Sequence, residues 1–121
     1  MINNPSASDH PGQAGPVQRQ LAAYNRRDLT AFLDCYAEDA VVRHADGRVL
    51  MAGREQLQAR YGTLFARFAD LHAEVPTRIE LGEWTVDEEI VEWGDQQVHA
   101  VVGYQVRDDL IRNVVMIRSD L

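Results

Sequence analysis

Residues 18–64 read QRQLAAYNRRDLTAFLDCYAEDAVVRHADGRVLMAGREQLQARYGTL, and the changes of rhythm inside this stretch decide the fold. Val17, Leu21 and Tyr24 recur at spacings of four and three, the period of one helix face, and Pro16 suits the first turn of that helix. Asn25-Arg26-Arg27-Asp28 interrupts the pattern, and Asp28 is placed to cap a second, short helix with Leu29, Phe32, Leu33 and Tyr36 as its apolar stripe. Residues 40–44 read as a short strand, Asp46-Gly47 as a tight turn, and residues 48–51 as the returning strand. Gly53 then opens a third helix, with Leu57, Tyr61, Leu64, Phe65 and Phe68 turned inward.

Beyond Asp70 the period drops to two. Leu71, Ala73, Val75, Thr77, Ile79 and Leu81 alternate with polar residues, and Pro76 predicts an edge strand or a bulge. Residues 84–93 form the next strand, where untidy parity across Asp87-Glu88-Glu89 predicts a second bulge. Val98, Ala100, Val102, Tyr104 and Val106 alternate cleanly, and Asp108-Asp109 turns into a last strand over 110–118. The order predicts an α+β fold, a cone-shaped roll with three helices packed in a strongly curved antiparallel sheet that leaves a cavity. Residues 1–15, rich in Pro, Gly and small polar residues, read as a disordered tail, and 16–121 as a single domain.

The 121 residues suffice for one domain with a sizeable core. Acidic residues exceed basic ones, 19 to 12, for a net charge of −7. That balance argues against nucleic acid, whose binding needs a basic face to release counterions. All 12 basic residues are arginine, so lysine chemistry is excluded. The single cysteine, Cys35, can form neither an intrachain disulfide nor a cysteine zinc site, and its apolar helical setting reads as a small buried hydrophobe. No apolar run approaches the ~20 residues of a membrane helix, and no secretory pattern opens the chain, so a cytoplasmic protein without membrane contact is expected. No glycine-rich phosphate loop or closely spaced ligand motif points to a cofactor or a metal.

The phrases Asn25-Arg26-Arg27-Asp28-Leu29, Tyr36-Ala37-Glu38-Asp39-Ala40-Val41 and Met51-Ala52-Gly53-Arg54-Glu55 resemble those of the NTF2-like superfamily, in particular its SnoaL-like and ketosteroid isomerase-like members. The resemblance covers residues 16–118. It implies a fold shared by isomerases, polyketide cyclases, dehydratases and non-enzymatic modules. Carried over residue by residue from the ketosteroid isomerases, Tyr36 and Tyr61 match tyrosines that support an oxyanion network. The principal oxyanion tyrosine falls at Gln20, the catalytic aspartate at His44, and the protonated aspartate near Val102. With those donors replaced, the chain does not read as a ketosteroid isomerase.

His44 is the foremost expected acid/base, because an imidazole near its ordinary pKa suits proton transfer at neutral pH, and Asp46 across the turn is its expected orienter. Gln20, Tyr24, Tyr36, Tyr61, Trp84, His99, Tyr104 and Asn113 are the candidate ligand-binding residues, since aromatic and amide side chains offer an apolar body with a polar handle. Core packing explains most of the aromatic ones equally well, and two others carry open alternatives. His99 lines the pocket or faces a partner, depending on strand parity, and Asn113 lines the pocket or is pinned to a neighbouring loop. Asp87, Glu88, Glu89 and Glu92, with Asp95 close by, read as an exposed acidic rim, Glu92 being kept apart because it lies between Val91 and Trp93. The expected function is binding of a small apolar or carbonyl-containing molecule, with cofactor-independent isomerase, cyclase or dehydratase chemistry. The alternative is a non-catalytic ligand-binding or dimeric scaffold module. A homodimer is expected because the helices cover only the concave face of the sheet.

Overall fold

Local chemistry starts the first two helices. α1 (Pro16–Asn25) begins with a proline whose missing N–H would have no partner in a first turn. α2 (Leu29–Leu33) is capped by the Asp28 side chain, which accepts a hydrogen bond from the Ala31 amide at 3.1 Å. The computed structural model describes residues 14–120, so the expected tail lies outside the described residues except for Ala14 and Gly15.

α2 stops at Leu33, and Tyr36, expected on its stripe, instead opens β1 (Tyr36–His44). The cause is a backbone competitor: the Cys35 carbonyl accepts from the Ile111 amide at 2.9 Å, which draws the chain into the sheet rather than into another helical turn. Cys35 therefore sits in the turn after the helix. It is buried there as expected, and burial pushes its thiol up, away from the reactive thiolate.

β2 (Val49–Ala52) pairs back on β1, α3 (Arg54–Arg67) follows, and β3 (His72–Leu81), β4 (Trp84–Trp93), β5 (Gln96–Arg107) and β6 (Leu110–Arg118) run as a meander. The six strands lie in the order β2-β1-β6-β5-β4-β3. Every neighbouring pair is antiparallel except β1–β6, so the sheet is mixed rather than wholly antiparallel. The exception follows from connectivity. α3 carries the chain from one edge strand to the other, and three hairpins later β6 arrives beside β1 running the same way.

Pro76 satisfies both of its expected settings. β3 is an edge strand, and its register with β4 shifts between Glu74 and Thr77. The bulge expected in β4 is absent from its other side, where pairing with β5 is unbroken from Trp84 to Trp93. β4 looked untidy because two of its carboxylates face inward. A further irregularity lies in β6: the shift opposite Gln105/Val106 leaves Arg112 as an extra residue, so Ile111 and Val114 both turn to the core.

Phe32, Leu57, Leu71, Ile111 and Val42 are buried between the helices and the concave face. The Asn25-Arg26-Arg27-Asp28 phrase has a structural explanation. Asn25 exchanges two hydrogen bonds with the Ala73 backbone, at 2.9 and 2.7 Å, and Arg27 donates to the Leu71 carbonyl at 3.0 Å, fastening the end of α1 to the start of β3. No helix among the described residues is long and apolar enough to cross a membrane.

Candidate functional site

Between the helices and the concave face lies a cavity of about 330 Å³, near the lower end of the ~300–1,000 Å³ typical of small-molecule sites. β5 turns Val98, Ala100, Val102 and Tyr104 into it, α1 contributes Gln20 and Tyr24, and α3 contributes Tyr61. Its wall is mainly aliphatic and aromatic. Four polar side chains from four different elements meet within it.

Gln20 on α1 donates through Nε2 to the Val17 carbonyl at 3.1 Å. That bond fixes the amide orientation and leaves Oε1 to accept from the Tyr36 hydroxyl of β1 at 3.2 Å. The same Nε2 approaches the Tyr104 hydroxyl of β5 at 3.5 Å, and Tyr104 donates to Glu89 Oε2 of β4 at 2.5 Å. A continuous chain of hydrogen bonds thus links Tyr36, Gln20, Tyr104 and Glu89. Its protons point one way, towards the carboxyl group.

Glu89 is partly exposed because the cavity reaches it, yet protein encloses it on its other sides. Burial pushes its carboxyl up to about 7, and the nearby charge of Asp87 adds to the rise. The Tyr104 hydrogen bond and the Arg78 charge act in the opposite direction without cancelling it. The surrounding phenols move upward too. Burial raises Tyr24, Tyr36, Tyr61 and Tyr104, so all four stay protonated and serve as donors at neutral pH. Among the described residues, the hydroxyls of Tyr24 and Tyr61 have no protein hydrogen-bond partner, which leaves them free for a ligand in the cavity.

Asp87, two residues before Glu89 on the same strand face, is fully buried and held by Arg78 of β3 through Nε at 2.7 Å and a terminal nitrogen at 3.0 Å. Arg78 also donates to Gln18 of α1 at 2.8 Å. This fork pins the helix to the sheet behind the carboxyl group.

Of the residues singled out from the sequence, Gln20, Tyr24, Tyr36, Tyr61 and Tyr104 come together around the cavity. His44 and Asp46 do not line it. His44 lies at the end of β1, its Nδ1 accepting from the Asp46 amide at 3.3 Å, and its Nε2 is buried with no partner among the described residues. The Asp46 carboxylate lies 3.4 Å from His44 Nδ1 and also accepts from the Arg48 side chain at 2.8 Å and the Arg48 amide at 3.0 Å, so the pair sits together in the hairpin but outside the cavity lining. Trp84 is on the other face of the sheet, its ring lying against Gly103. The parity that turns Val98 and Ala100 inward sends His99 to the convex face, where it meets Glu88 at 2.9 Å. Asn113 is pinned between neighbouring strands, donating to Gln105 at 2.7 Å and accepting from Arg43 at 3.3 Å.

The acidic-rim expectation divides along the same parity. Glu88 and Glu92 lie on the outward parity, whereas Asp87 and Glu89 are interior. Val91 and Trp93 share the odd-numbered parity of Asp87 and Glu89, and both line the cavity. Among the described residues no group of three or more histidine, cysteine or carboxylate side chains is placed to hold a metal.

Residues 17–114 match the model of the SnoaL-like domain. The chain belongs to this family. The SnoaL-like fold is also that of several solved structures, of the NTF2-like and ketosteroid isomerase-like type. A cystatin-fold protein of Novosphingobium aromaticivorans is 25% identical with a TM-score of 0.79, over 85% of this chain and 95% of that one. IdmH of Streptomyces antibioticus, a candidate polyketide cyclase, is 18% identical with a TM-score of 0.72, over 95% and 93% of the two chains. A protein of ketosteroid isomerase-like fold from Catenulispora acidiphila, solved with trimethylamine, is 18% identical with a TM-score of 0.68, over 84% and 82%. No curated protein matches the chain by sequence.

Proposed function

We propose that this SnoaL-like protein binds a small hydrophobic carbonyl compound and moves a proton on it without a cofactor, with Glu89 as the acid/base. The observation that carries the reading is a carboxyl group on the wall of an apolar cavity, hydrogen-bonded by Tyr104, beside two unengaged phenols and pushed up to about 7 by burial. A base is most effective when its pKa lies near the working pH, and desolvation supplies that here. In its ionised form Glu89 takes a proton from the carbon beside the carbonyl. Tyr24 or Tyr61 donates a hydrogen bond to the developing enolate oxygen, and the protonated Glu89 then returns the proton to the same carbon or to a conjugated one. Isomerisation, cyclisation and dehydration all contain this step. The role expected of His44 passes to Glu89, because His44 lies outside the cavity lining.

The test is deuterium uptake from heavy water by an enolisable ketone such as 1-tetralone, followed by mass spectrometry with purified protein. Protein-dependent exchange that disappears in Glu89→Gln while ketone binding persists supports the assignment. Undiminished exchange in that variant refutes it, and binding with no exchange favours a carrier.

A homodimer is proposed alongside. Val101 and Ile117 face each other across β5 and β6 on the convex side, 43% and 56% exposed, and Trp84 is exposed at 36%. A second copy would cover them, and sedimentation at micromolar concentration giving only a monomer would remove that proposal.

A further inference from the structure

The charges lining the cavity are unevenly placed. Glu89 and Arg118 are half-buried, whereas the other ionic lining residues, Arg60 and Asp120, are exposed and so mark the mouth, with Arg118 beside them. Arg118 at the end of β6 is committed to Asp120, through Nε at 2.9 Å and a terminal nitrogen at 2.6 Å. Arg60 on α3 is different. It is exposed, lines the cavity, and makes no ion pair or side-chain hydrogen bond among the described residues. Among the described residues the mouth therefore carries Arg60 and Arg118 against Asp120, one surplus positive charge, in a chain whose net charge is −7.

We infer that the cavity takes an amphipathic anion, a hydrophobic monocarboxylate whose apolar body lies inside and whose carboxylate meets Arg60 at the mouth, beside the Arg118–Asp120 pair. The inference rests on reading the cavity as a small-molecule site, but not on proton transfer by Glu89. A guanidinium presents a planar fork that matches a carboxylate in two parallel hydrogen bonds. Low-dielectric walls around an opening concentrate the field of such a charge, so an anion is drawn to this opening despite the acidic surface elsewhere. The apolar body would run past Leu64, Met116 and Val91 towards Tyr61 and Tyr104. A carbonyl on that body would then lie at the enclosed end with Glu89, with the anionic end away from it. This separation matters, because a carboxylate beside Glu89 would be repelled whenever Glu89 is ionised.

Calorimetric titration of the full chain near pH 6 with decanoate, methyl decanoate and decylammonium separates the three ligand charges on one apolar body. The expected result is decanoate binding at least about tenfold tighter than its methyl ester, with the advantage shrinking as salt is raised. Arg60→Gln should bring decanoate to the affinity of the ester and leave the ester unchanged. Because Arg60 has no hydrogen-bond or ion-pair partner among the described residues, an unaltered melting temperature is the accompanying control. Equal affinity for acid and ester, no binding of decanoate, no effect of Arg60→Gln, or a preference for decylammonium would each overturn the inference. The last result would instead place a cation among the aromatic rings and Glu89. The Glu89→Gln exchange assay is read on a neutral ketone, so proton transfer can fail while the anion site stands, and the reverse.

Discussion

Asp87 and Glu89 stand two residues apart on one face of β4, both turned into the protein, and their partners set them apart. Asp87 is clamped by Nε and one terminal nitrogen of the Arg78 guanidinium, whose other terminal nitrogen is tied to Gln18. Glu89 meets a neutral phenol instead, and burial pushes its carboxyl up to about 7. A buried carboxylate with a cation on it is a structural joint. One without a cation has its carboxyl pushed up by burial, which is the property the proposed proton transfer would use. Neighbouring positions on one strand can thus carry two unlike roles, decided by which element packs over each.

The contrast can be broken from the structural side first. Arg78→Met would strand Asp87 as an uncompensated buried charge and should cost about 3–5 kcal/mol, the usual penalty for removing one partner of a buried pair. Urea denaturation reads it, and the double variant Arg78→Met with Asp87→Leu should recover most of the loss. A loss in Arg78→Met no larger than that of a surface ion pair would mean that the two carboxylates do not differ as described.

Glu89 should show the opposite sign. Its folded value of about 7 exceeds the ordinary 4.5, so between these two pH values the folded state holds a proton that the unfolded chain releases. Stability from this group is complete below about pH 4.5 and is lost as pH rises through 7, about 3 kcal/mol in all. Glu89→Gln removes that loss. The variant should be more stable than the parent at pH 8, and the gap should close towards pH 4, as followed by thermal melting across the pH range. Any greater stability of the parent at pH 8 would contradict the account.

Tyr104→Phe sharpens the comparison with a smaller effect. It deletes the one hydrogen bond that favours the ionised form of Glu89, costing about 1 kcal/mol. It should also move the pH midpoint of any exchange activity upward. A downward movement would mean that Tyr104 does not donate to the carboxylate.

The half of the chain that announced the fold is not the half that holds the acid. The phrases around Asn25 and Asp28 were legible because capping and helix-to-strand fastening are local and use fixed residue types. Tyr36 and Tyr61 came from family resemblance, and Tyr104 from clean alternation along β5. Glu89 was hidden by its neighbours. Four carboxylates within six positions read as a solvated rim, and two of them, Glu88 and Glu92, do lie on the outward parity. Only the register of β4 with β5, in which Asp87 faces Val102 and Glu89 faces Ala100, shows that the other two point inward. Arg78 was equally obscured, since its partner lies across an edge strand whose register shifts at Pro76. His44 drew attention by position, but the hairpin that follows engages both its ring nitrogen Nδ1 and Asp46.

The central claim is that a single cavity carboxyl changes charge near neutral pH. The direct measurement is a carbon-13 NMR titration of the glutamate side-chain carboxyls, with the Glu89 signal assigned by its absence in Glu89→Gln. A midpoint near 7 for that signal, moving upward in Tyr104→Phe, is the predicted result. A midpoint near 4.5 would show an ordinary solvated carboxylate and contradict the account.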